Sequence, residues 1–171
     1  MKEAISYKEE IDWSRVSLLM KIGITGAIII LAGDLLMGWG VRDVSLSGIE
    51  RLVSQYLSIS DRRMFWSSFL GLIGAPIAAI GHLGVYKLLK PYSKKYARLY
   101  AIGMLGFLTF GGSGVHVSSV AAAFFYKYMT AASPSSALEA SIKFSLYFPL
   151  PLYIALLAFW VLIVYAHIKA I

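Results

Sequence analysis

Four ionisable residues interrupt long apolar runs in this chain: Lys21, near enough to a span end to snorkel, and Asp34, His82 and His116. An isolated carboxylate or imidazole is costly in hydrocarbon. Such a group is therefore expected to be neutral or paired, and its default chemistry is proton carriage, cation binding or contact with a polar solute. His116 sits inside "TFGGSGVHVSS", and on a helix Thr109, Ser113 and Ser119 fall on its face at three- and four-residue steps. The candidate polar interior is therefore Asp34, His116, Ser113, Ser119, Thr109 and His82. For each residue the plain alternative is a structural hydrogen bond between helices. For the glycines of "GGSG" the alternative is packing or kinking of the chain.

Specific chemistries are tested by spacing. A bis-histidine haem needs two imidazoles at one depth, and His82 and His116 differ by roughly 15 Å. A zinc centre needs three protein ligands besides water, and only Asp34 and His116 share a level. Serine, histidine and aspartate do occur together, but no nucleophile-elbow motif supports a hydrolase triad. No Gly-Lys-Ser/Thr follows the glycines, so they do not read as a phosphate loop. No catalytic residue, cofactor or metal ligand is assigned. With no cysteine, disulfides and thiolate chemistry are excluded.

The elements that must position these groups follow from composition. Of 171 residues, 58% are hydrophobic and 15% charged, against about a quarter charged in soluble domains. Four runs are long enough to cross a bilayer as helices of about 20 residues: about 16–39, 64–89, 99–128 and 144–167. The expected fold is all-α, a single transmembrane domain formed by a bundle of four helices. Nothing alternates as the strands of a membrane barrel would. Trp39, Trp66, Tyr86, Tyr100, Tyr126, Tyr128 and Tyr165 lie near span ends, as interfacial aromatics do. Apolar positions in "VSLSGIERLVSQYLSI" recur at helical spacing. They predict a short amphipathic helix in the first loop, capped by Ser45 or Ser47, either lying on the membrane surface or packed over the bundle. In the third loop, Ser136 and Glu139 have the spacing of a capping box.

Net charge is +7, but the basic residues cluster between apolar runs, which points to anionic headgroups near Lys87, Lys90, Lys94, Lys95 and Arg98 and not to nucleic acid. The 16 Lys and Arg residues divide ten to six in favour of the side holding both termini, which places the termini in the cytoplasm.

Each polar group shares a helix face with small residues: Gly23, Gly26, Ala27 and Gly38 with Asp34, and Ser67, Gly71, Gly74, Ala75 and Ala78 with His82. Small faces are where membrane helices approach, so these groups are expected to point into the bundle, away from lipid. Counted from the cytoplasmic edge, Asp34 lies roughly 21 Å deep and His116 roughly 25 Å, so the two can meet. His82 lies roughly 10 Å deep and stays apart.

The runs "GDLLMGWG", "DRRMFWSSFLGLIGAPIAAIGHLGVYKLL" and "GGSGVHVSS" resemble an uncharacterised family of bacterial multi-pass membrane proteins, a domain of unknown function. The resemblance covers most of the chain and implies a bacterial cytoplasmic membrane. It also implies that this chain corresponds to the N-terminal part of longer relatives. It carries no activity and no site residue. Three functions remain open. The first is transport of a small solute or ion through the Asp34–His116 interior. The second is a metal-dependent membrane hydrolase acting on lipid, and the third a non-catalytic membrane subunit. Four spans are few for an enclosed pathway, so a homo-oligomer or additional helices are expected.

Overall fold

The computed structural model describes residues 11–130, 133–147 and 149–171, and of Ser113 the backbone only. Among these, every regular element is helical. In order they are α1 (Trp13–Gly38), α2 (Gly48–Ser58), α3 (Asp61–Leu89), α4 (Lys94–Phe107), a π segment (Leu108–Val115), α5 (His116–Thr130), α6 (Pro134–Tyr147) and α7 (Pro149–Ala170). Four stretches are long and apolar enough to cross a membrane: Trp13–Gly38, Asp61–Leu89, Lys94–Thr130 and Pro134–Ala170. The predicted spans overlap these one for one; three lie within them, and the first, expected to reach residue 39, stops at Gly38.

Helix α3 is the central element. Its buried residues include Ser67, Gly71, Gly74, Ala78 and Gly81, a seam at three- and four-residue spacing that packs along α1. A Cβ on Gly23 would lie 2.6 Å from the Gly81 Cα, and one on Gly26 would lie 2.8 Å from both the Ala78 Cα and the Gly74 carbonyl oxygen. The two backbones touch because no side chain stands between them. A second pair forms where α4 and the π segment meet α7, with Gly103 and Gly106 beneath Ile163 and Phe159.

Polar ties fasten one end. Arg63 donates to the carbonyls of Leu36 (2.7 Å) and Trp39 (3.3 Å), satisfying the open C-terminus of α1. Lys127 pairs with Asp61 at 2.7 Å and donates to the Ile59 carbonyl, and the Tyr128 hydroxyl also donates to Asp61. The start of α3 is thus tied to the end of α1 and the end of α5.

The first-loop helix forms as α2 and packs over the bundle. Tyr56 borders a cluster of Ile59, Met64, Val120 and Ala123, while Ile49, Leu52 and Leu57 remain exposed. Ser47 occupies its N-cap position without a side-chain bond. Ser45 instead donates its hydroxyl and amide to Asp43, holding that carboxyl below its ordinary range. The loop before α2 is strapped to it, Val41 and Asp43 donating their amides to Ser58 and Ser54.

Two expectations need correction. The third-loop helix starts at Pro134, three residues before the predicted box could act, because proline is well suited to a first helical position. Glu139 pairs with Lys143 at 2.7 Å instead of capping. Tyr100 and Tyr126 are buried among helices and do not face lipid.

Candidate functional site

The "GGSG" glycines fall in the eight-residue π segment, where wider i→i+5 bonding replaces the α-helical ladder. Small residues let this stretch sit against α3 and α7: a Cβ on Gly112 would collide with the Ala75 side chain, and one on Gly111 with Leu156. His116 is the first residue after the segment, and its side chain crosses α3. It does so directly over Gly71, where a Cβ would lie 2.7 Å from the imidazole Cγ and closer still to other ring atoms. A glycine on the central helix therefore makes room for the ring.

Having crossed, the ring meets two partners. Its Nδ1 lies 3.1 Å from Asp34 Oδ1 on α1, and its Nε2 lies 2.9 Å from the Ser67 carbonyl on α3. A carbonyl oxygen only accepts, so Nε2 carries a hydrogen and donates it. That assignment leaves Nδ1 as the nitrogen facing the carboxylate. One proton shared between Nδ1 and Oδ1 satisfies both atoms, whether the pair is written as imidazolium and carboxylate or as imidazole and carboxylic acid. Without that proton, a ring lone pair would face a charged oxygen.

The pair is asymmetric. The His116 side chain is 12% exposed, whereas that of Asp34 is 56% exposed. Asp34 therefore does not point into a closed bundle as expected. Val16, Gly26 and Gly33 form the buried edge of α1, and Asp34, one residue beyond Gly33, sits on the rim. The carboxylate reaches inward to one buried partner while remaining open on its other side.

The remaining predicted residues lie elsewhere. His82 Nδ1 bonds the Tyr100 hydroxyl at 2.9 Å, between α3 and α4. Thr109 is exposed, and its hydroxyl returns to the Leu105 carbonyl of its own helix. Ser119 is exposed and faces a cavity beside α6. The Ser113 side chain lies outside the described part. Thr109 misses the site because the π turn shifts helical phase between it and His116. The partners absent from the sequence reading are the Ser67 carbonyl and the space at Gly71. Their one sequence signal was the small pair Ser67 and Gly71 at four-residue spacing, and a backbone acceptor has no signature of its own.

Among the described residues no three His, Asp, Glu or Cys side chains gather as a metal-ligand group. The metal-dependent hydrolase therefore has no ligand set here, since two ligands on one level fall short of the three it needs.

Four membrane-length helices and a titratable pair joining three of them define a multi-pass membrane protein with a polar centre. The chain belongs to the family of unknown function DUF6796, whose model matches residues 1–171. No curated protein and no solved structure matches it.

Proposed function

We propose that this protein moves a small solute or ion across the membrane, with the Asp34–His116 pair as its proton-exchanging element. The observation that carries this reading is the imidazole held between two acceptors, a carbonyl and a half-exposed carboxylate. Two acceptors fix how many protons the group holds: one stays on Nε2, and the other bridges to Asp34. Loss of the bridging proton places a lone pair against a carboxylate, which drives Asp34 away from the ring towards a cation or water. Proton occupancy and the position of Asp34 are thereby linked, as exchange of a proton for another charge requires. The π segment immediately before His116 supports this, since such segments are frequent at functional sites.

The exposed carboxylate also favours assembly. A charged rim one turn before the end of α1 needs cover where it meets hydrocarbon, and the neighbouring face of α1 exposes Ile24, Ile28, Leu31 and Leu35. A second copy or further helices would provide that cover. The ten-to-six division of basic residues favours an orientation with both termini in the cytoplasm. Alkaline phosphatase fused after Ile171 is then inactive in whole cells, and an active fusion would reverse the orientation.

The test of transport is proton movement in reconstituted liposomes. An imposed sodium or potassium gradient should change internal pH, read with a trapped dye. Asp34→Asn should lower the rate at least 100-fold while melting within a few degrees of wild type, because the amide can still donate to Nδ1. A wild-type signal no larger than that of empty liposomes rejects transport, and an unaffected variant rejects the Asp34–His116 pair as its proton-exchanging element. An unaltered flux with a large fall in melting temperature in Asp34→Asn would favour a packing role.

A further inference from the structure

Two cavities of about 310 and 350 Å³ lie side by side between α3 and α4, with Leu83, Tyr86 and Ala101 as shared walls. Together they form one groove, which runs from near the loop joining the two helices towards Leu105. Ile80, Leu83, Ile102 and Leu105 along it are exposed, so the groove opens towards lipid where the chain crosses the membrane. It is separate from the Asp34–His116 pair, since His82 stands roughly 16 Å along α3 from Gly71.

Two polar groups line this apolar groove. At the loop end stands Arg98, an exposed cation with no hydrogen bond or ion pair to any described residue. Lys87, Lys94 and Lys95 flank the same loop, and no acidic residue occurs between Asp61 and Glu139. One turn of α3 beyond Tyr86 comes His82, whose Nδ1 bonds the Tyr100 hydroxyl at 2.9 Å. Tyr100 is 4% exposed, and that nitrogen is the one partner of its hydroxyl among the described residues. The hydroxyl therefore donates and Nδ1 accepts, which puts the hydrogen of the neutral ring on Nε2. Nε2 bonds no described residue and is not sealed inside the protein, and the ring lines the groove.

We propose that this groove binds an anionic phospholipid, with its phosphate on Arg98, an ester carbonyl accepting from His82 Nε2, and an acyl chain along Leu83, Ala101 and Leu105. A guanidinium matches a phosphate with two parallel hydrogen bonds. The basic residues around the loop attract an anionic head, and an ammonium head meets only like charge there. The apolar walls favour a lipid over a free phosphate ester, which would use the cation alone. The level of Arg98 and Tyr86 is separated from His82 by one helical turn, about 5.4 Å, comparable to the span from phosphate to ester in a glycerophospholipid.

Native mass spectrometry of the full chain in detergent tests this, with dioleoylphosphatidylglycerol as the probe. One molecule is expected to remain per chain, displaced neither by excess dioleoylphosphatidylcholine nor by excess glycerol 3-phosphate. Arg98→Gln should lower occupancy at least tenfold, and so should Leu83→Trp, which fills the groove from an exposed wall position. Arg51→Gln, which removes a cation from α2, and Leu31→Trp, which adds bulk to the exposed face of α1, should leave occupancy unchanged. In nitrogen NMR of histidine-labelled protein, the bound phospholipid should move the His82 Nε2 signal and leave those of His116 in place. Displacement by the choline lipid or by glycerol 3-phosphate overturns the proposal. So does full occupancy in Arg98→Gln or Leu83→Trp, equal loss in the two control variants, or an unmoved His82 signal at full occupancy. These readouts are independent of proton flux, so either proposal can fail alone.

Discussion

Gly26→Leu leaves no folded protein to purify: the variant chain aggregates on detergent extraction, where wild type elutes as a single species. At Gly26 a Cβ meets the Ala78 backbone and the Gly74 carbonyl, and backbone cannot swing aside. Leucine adds three further carbons beyond that Cβ. The variant can relieve the clash only by prising α1 from α3, and that contact runs through Gly23, Gly26 and Gly33 on one helix and through Ser67, Gly74, Ala78 and Gly81 on the other. Overpacking a well-filled site costs about 1–3 kcal/mol, and more when the neighbours cannot move. A domain with a total stability of about 5–15 kcal/mol tolerates little of this. Association of membrane helices has no hydrophobic drive of its own, so lost van der Waals contact is not made good by burial elsewhere. Recovery of monodisperse Gly26→Leu protein with wild-type melting would contradict the α1–α3 seam.

Gly71→Ala behaves differently, and the contrast is informative. The atom that its Cβ meets belongs to a ring, which can rotate away. The helices then stay together, and the loss is confined to the two hydrogen bonds of His116, worth about 0.6 kcal/mol each and at most about 1.7. The variant should therefore purify and melt only a few degrees below wild type. It should nevertheless lose at least tenfold in proton flux, because no imidazole stands beside Asp34. A Gly71→Ala protein with full flux would separate transport from the Asp34–His116 contact.

Much of this architecture follows directly from the residues. Apolar runs of bilayer length require spanning helices, and the recurrence of glycine, alanine and serine in the segments around Gly26 and Ala78 marks where backbones can approach. Counting residues at a fixed rise put Asp34 and His116 at one depth and kept His82 apart. Three features escape that reasoning. The second partner of His116 is a backbone carbonyl, and any residue type offers one. Thr109 is placed by a uniform 3.6-residue period, which the π segment from Leu108 to Val115 breaks before His116. The exposure of Asp34 depends on which edge of α1 meets α3, and the Gly23–Gly26–Gly33 row lies to one side of it. Helix periodicity ranks faces, but it does not tell a buried position from the rim next to it.

In the proposed mechanism the His116 ring carries a fixed hydrogen on Nε2 and exchanges the one on Nδ1 with Asp34. Nitrogen NMR of the protein labelled only at histidine reads both atoms. Nε2 of His116 is expected to stay protonated across the pH range, while the Nδ1 signal shifts in wild type and is pinned in Asp34→Asn. A neutral ring with hydrogen on Nδ1 and a bare Nε2 would contradict it, because the Ser67 carbonyl would then face no donor.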